Sequence, residues 1–81
     1  MIKVTEAHYV EEYKVSLTFA DGKEGIADLK DLLWGEVFEP LKDISNFRKF
    51  CVSPVFDTIC WENGADISPE YLYDKAIAPT P

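Results

Sequence analysis

The chain has 81 residues, 47% hydrophobic and 14% aromatic, which suits one small folded core and not a disordered chain. Eight Lys and Arg face 15 Asp and Glu, a formal net charge of −7. Nucleic-acid and anionic-membrane surfaces bind through dense basic stripes, so this balance argues against both as direct partners; it would favour a basic protein partner, although such acidity more often serves solubility alone.

The amino terminus, Met1-Ile2-Lys3-Val4-Thr5-Glu6, has no basic segment leading into an apolar one, so no signal peptide is expected. No window approaches the roughly 20 apolar residues of a membrane span. These readings predict a cytoplasmic protein whose Cys51 and Cys60 are free thiols. Residues 1–77 are expected to form one α+β domain. The tail Ala78-Pro79-Thr80-Pro81 is expected to be loose, because its prolines cannot support a helix.

In chain order, Ile2 to Tyr9 is a first strand and Glu11-Glu12 turns the chain. Tyr13, Val15, Leu17 and Phe19 then alternate with Lys14, Ser16, Thr18 and Ala20, the period of a strand with one buried face. Asp21-Gly22 suits a primed hairpin turn, with a return strand from Lys23 to Ala27. Asp28 can cap a short helix over Leu29 to Trp34, with Gly35 at its exit. Val37-Phe38-Glu39-Pro40-Leu41 is apolar but broken by proline, which predicts a packed loop. Asp43 can cap another short helix in which Ile44, Phe47 and Phe50 share a face.

Val55 to Glu62 is rich in β-formers and predicts a strand. Asn63-Gly64 is the strongest hairpin signal in the chain, with Ala65-Asp66-Ile67 as a brief return. Ser68 then caps a last helix with Pro69 at its first position, where a missing N–H costs nothing. The order predicts an α+β fold. Its small antiparallel sheet, an N-terminal three-stranded meander plus a C-terminal hairpin, is covered by short helices.

Little in the chain points to catalysis. The lone His8 and two cysteines lack the adjacent base that nucleophilic chemistry needs. Nor do they supply the closely spaced ligands of a zinc site. Gly22, Gly25, Gly35 and Gly64 are too scattered for a phosphate loop. Carboxylates at Asp57, Glu62, Asp66 and Glu70 leave an alternative reading as a small-ligand or metal-binding accessory domain centred on Asp66. The plainer role for Asp66 is to bind amides of the turn or helix start. The aromatics (Trp34, Phe38, Phe47, Phe50, Phe56, Trp61, Tyr71 and Tyr73) exceed what a few short helices obviously hide: most are expected in the core, with an exposed interface patch as the alternative.

Three stretches carry a resemblance: Val15-Ser16-Leu17-Thr18-Phe19-Ala20-Asp21-Gly22, Asp28 to Leu33, and above all Trp61-Glu62-Asn63-Gly64-Ala65-Asp66-Ile67-Ser68-Pro69-Glu70-Tyr71-Leu72-Tyr73. With them the chain resembles the bacterial family known as domain of unknown function 2442. The resemblance implies a compact α+β fold and brings no activity, cofactor or catalytic residue. Some such relatives append a helix-turn-helix, which is not expected before Pro81. Relatives are often encoded beside small proteins similar to ribosome-dependent ribonuclease toxins, which implies an antitoxin-like role.

The expectation is therefore a non-enzymatic interaction module without a cofactor, paired with a basic protein encoded nearby or with a second copy of itself. Trp61, Asn63, Gly64, Asp66, Pro69 and Tyr71 form the candidate interaction or structural motif. Trp61 is expected to be buried against the last helix, near Leu72.

Overall fold

Strand β1 (Val4–Glu11), β2 (Lys14–Phe19) and β3 (Glu24–Asp28) make an antiparallel meander in the order β1-β2-β3. The computed structural model describes residues 1–76. The predicted alternation in β2 holds: Val15, Leu17 and Phe19 are buried, and across β3 their neighbours Gly25 and Ala27 are buried too. The first strand starts and ends two residues later than expected. Its register shifts between Val4 and Glu6, so Thr5 is an extra residue in the ladder. That bulge lets even-numbered Val4 and odd-numbered Ala7 and Tyr9 all reach the core.

The Asp21-Gly22 turn exists but is not primed. Only Gly22 has positive φ, at 95°, and the Gly22 amide donates to the Phe19 carbonyl while Phe19 donates to Lys23. This is a three-residue loop ending in a left-handed glycine, which tolerates that φ because it has no Cβ. Asn63-Gly64 repeats the plan: Gly64 (φ 94°) donates to Trp61, and Trp61 donates to Ala65. In both turns the middle side chain accepts from the amide two residues on, Asp21 from Lys23 and Asn63 from Ala65.

Asp28 accepts from the Lys30 amide and opens a single 3₁₀ turn, Lys30–Leu32, shorter than the predicted helix. The proline-broken segment is not a plain loop: Glu39–Lys42 forms a second 3₁₀ turn, since proline suits the first positions of a helical turn. Helix α1 (Ile44–Phe47) is capped by Asp43, whose carboxylate accepts from the Ser45 amide.

The largest departure lies in the C-terminal half. The expected strand from Val55 to Glu62 is in fact a hairpin: β4 (Cys51–Ser53), a turn over residues 54–57, and β5 (Thr58–Cys60). Val55 and Phe56 are 78% and 63% exposed at its tip. The return after Asn63-Gly64 is a single bridge, Asp66 to Cys60, and not a strand. The expected C-terminal hairpin is present, but displaced toward the N-terminus. Helix α2 (Pro69–Lys75) follows as predicted, with Ser68 accepting from the Tyr71 amide.

Phe47 is the hub where these parts meet. It is fully buried, with the rings of Tyr9, Tyr13, Phe50 and Trp61 at 6.2, 5.3, 6.3 and 5.9 Å. The pairs with Tyr9, Tyr13 and Phe50 are edge-to-face and that with Trp61 is tilted at 40°, contacts that add modestly to area burial. The molecule measures 32 × 30 × 17 Å, which is too thin to enclose a deep cleft. The expected loose tail, residues 78–81, lies outside the described residues.

Candidate functional site

Trp61, the first residue of the candidate motif, is 4% exposed, so its role is internal. Its indole N–H donates to the Phe47 carbonyl at 2.8 Å, which satisfies a polar atom that burial would otherwise penalise. The rings of Phe38, Phe47 and Phe50 surround it, so the aromatic partners of Trp61 come from α1 and its flanks.

Asn63 has two jobs. Its Oδ1 holds the Ala65 amide inside the turn, and its Nδ2 donates to the Val37 carbonyl at 2.9 Å. The second bond ties the turn to the segment between the two 3₁₀ turns. Gly64 supplies the positive φ, and Pro69 and Ser68 start α2. Tyr71 packs half-buried against the core. Asp66 is exposed and takes part through its backbone bridge to Cys60. The turn and helix-start amides expected to bind its carboxylate are instead taken by Asn63 and Ser68.

Beside this motif lies a shallow cleft of about 230 Å³, lined by Pro40, Leu41, Lys49, Trp61, Glu62 and Asn63. That is smaller than the roughly 300–1,000 Å³ typical of small-molecule sites. Among the described residues, no three His, Cys, Asp or Glu side chains converge as metal ligands.

The segment tethered by Asn63 is the more unusual surface. Trp34 is 72% exposed and Val37 45%, with Asp31, Glu36 and Glu39 exposed on either side. The 3₁₀ turn ends at Leu33 (φ −84°, ψ 67°), where the Trp34 amide donates to the Leu32 carbonyl, and Gly35 follows at φ 90°. The sequence lists Trp34 among the aromatics without marking it out. Its only local signal is a glycine behind it and acidic neighbours around it. The Asn63–Val37 bond has no sequence signal, because its partners are 26 positions apart.

Charge is distributed unevenly in use. Lys14 pairs with Glu11 and Lys42 with Glu39, while Lys23, Arg48 and Lys75 lie over the rings of Tyr73, Tyr9 and Tyr71. The cations are thus largely engaged locally. Surface pairs of this type contribute little stability, and every Asp and Glu except half-buried Asp57 is exposed, so the acidic excess faces solvent.

Cys51 and Cys60 are directly opposite each other on β4 and β5, with their sulfurs 3.7 Å apart. Cys51 is exposed and Cys60 half-buried. Burial raises the Cys60 thiol above its ordinary pKa, and the neighbouring Cys51 and Asp66 add to the rise.

A profile of the family described as "Protein of unknown function (DUF2442)" matches residues 4–78. The chain belongs to the DUF2442 family. The match spans the meander, the displaced hairpin and α2, so the whole described fold is that of one DUF2442 unit. No curated protein matches the chain, and no solved structure does. No helix among the described residues is long and apolar enough to cross a membrane.

Proposed function

We propose that this DUF2442 chain is a non-enzymatic protein-interaction module that binds a small basic protein, in the manner of an antitoxin with its toxin. The observation that carries this reading is Trp34, held 72% exposed in a segment with Val37 and acidic neighbours. Tryptophan is among the residues that most often anchor protein interfaces, and here exposed Val37 lies three residues away. A net charge of −7 supports a basic partner by accelerating encounter and penalising acidic competitors. Asn63 supports the same reading, since its bond to Val37 holds the segment in place before binding and so lowers the ordering cost.

The test is a titration of the purified chain with the basic product of an adjacent gene, at low and high salt. The expected complex weakens as salt rises. Trp34→Ala should weaken it by about 2 kcal/mol or more, as truncation of an interface anchor does, with an unchanged melting temperature. No complex at low salt, or one indifferent to Trp34, would overturn the proposal.

A further inference from the structure

We propose that Cys51 and Cys60 form a reversible dithiol–disulfide pair that reacts with small disulfides of the glutathione class and closes a bridge between β4 and β5. Directly paired antiparallel residues have Cα atoms about 4.5–5.5 Å apart, inside the roughly 4.4–6.8 Å range that a disulfide spans. Cys51 and Cys60 are such a pair, and both side chains point to the same face, with sulfurs 3.7 Å apart. Reaching the bonded distance of about 2.0 Å takes side-chain rotation and little backbone movement.

The two thiols differ in a way that assigns their order. Cys51 is exposed and meets the reagent, whereas Cys60 is half-buried behind it. The Cys51 thiolate attacks one sulfur of the small disulfide. Its S–S bond breaks, one thiolate departs and takes up a proton, and a mixed disulfide remains on Cys51. Cys60 then loses its proton to solvent and attacks the Cys51 sulfur, expelling the second small thiol. In sum, two protein thiols are oxidised and one small disulfide is reduced to two thiols. The raised Cys60 pKa slows attack by that thiol on free reagent, while adjacency favours its attack on Cys51. The closed ring would staple the hairpin whose tip carries Val55 and Phe56. A metal reading of the pair is weaker, since no third ligand among the described residues joins it.

The full chain, folded and freshly reduced, is treated with oxidised glutathione, quenched with acid and mapped by mass. Trypsin leaves both cysteines in one peptide, residues 50–75, so closure appears as a loss of about 2 Da and of both alkylatable thiols. Dithiothreitol should reverse it. Cys60→Ser should stall with one glutathione on Cys51, and Cys51→Ser should react more slowly. Three results would overturn the proposal. The wild type could stop at the mixed disulfide or become a disulfide-linked dimer. It could stay a dithiol while the urea-unfolded chain is oxidised. Or Cys51→Ser could prove the faster-modified variant, which would reverse the assigned roles.

Discussion

The Tyr73 hydroxyl donates to the Asp21 carboxylate at 2.6 Å, fastening α2 to the first hairpin turn across 52 positions of sequence. Three further contacts reinforce the joint. Lys23 donates to the Tyr73 carbonyl at 2.6 Å and lies 4.0 Å above the Tyr73 ring, and Phe19 meets that ring edge-on at 4.9 Å. Tyr73 thus ties the last helix to the first hairpin turn, while Leu72 of the same helix is fully buried in the core.

That joint predicts a pH profile. The bond from Tyr73, followed by the Lys23 amide, lowers the Asp21 pKa below its usual 3.8, so its contribution is present above that value and lost as pH falls through the folded value. The same bond raises the Tyr73 pKa above 10.0, so its contribution is present below that value and lost as pH rises through the folded one. Asp43 adds a second acid-sensitive element, because the Ser45 hydroxyl and amide lower its pKa too. Melting temperatures of wild type and Asp21→Asn across this range should show a shallower acid limb in the variant. Equal limbs would remove Asp21 from the account.

Asn63 offers a substitution that separates its two bonds. Asn63→Asp keeps an acceptor for the Ala65 amide but loses the donor to Val37, so the turn should survive while the Trp34 segment is released. The expected cost is about 0.5–1.5 kcal/mol, the net value of one hydrogen bond. Asn63→Ala loses both and should cost more. Urea midpoints would rank the two, and faster amide exchange around residues 34–38 in Asn63→Asp would locate the effect. An unchanged segment in that variant would show that other contacts hold it.

Trp61→Ala should destabilise the fold by about 3–5 kcal/mol through lost burial and a residual cavity beside Phe47. Trp61→Phe should cost less, because a smaller ring still fills most of the space, although the bond to the Phe47 carbonyl is lost. Urea unfolding followed by circular dichroism measures both. A stable Trp61→Ala variant that no longer binds a basic partner would make this residue an interface anchor and contradict its place in the core.

At Gly64 the strain comes from the backbone alone, since a Cβ would meet nothing within 4 Å. With φ at 94°, Gly64→Val should cost about 1–3 kcal/mol. Gly64→Asn should cost less, because asparagine tolerates positive φ better than a β-branched residue. Equal costs for the two would place the effect in packing instead.

What the sequence determined by itself was local. The alternation in β2, the glycines at 22 and 64, the Asp43 cap and the Ser68-Pro69 start of α2 each depend on residues within a few positions. The resemblance read from the sequence also rests on short runs, above all Trp61 to Tyr73, and the family profile matches residues 4–78. The second hairpin was decided elsewhere. Val55 and Phe56 have strong β-propensity, yet they form a turn because the Ser53 hydroxyl accepts from both amides and Asp57 adopts φ 58°. The start of β1 fixes that turn, since the Val4 amide donates to the Asp57 carbonyl. Propensity describes how one residue fits a pleated surface, whereas pairing depends on which distant amides and carbonyls arrive opposite it. The same distinction separates the two tryptophans: Trp61 meets the rings of Phe38, Phe47 and Phe50, while Trp34 is left largely in solvent. Burial of a large side chain is settled by what the rest of the chain brings to it, and only the tertiary structure contains that information.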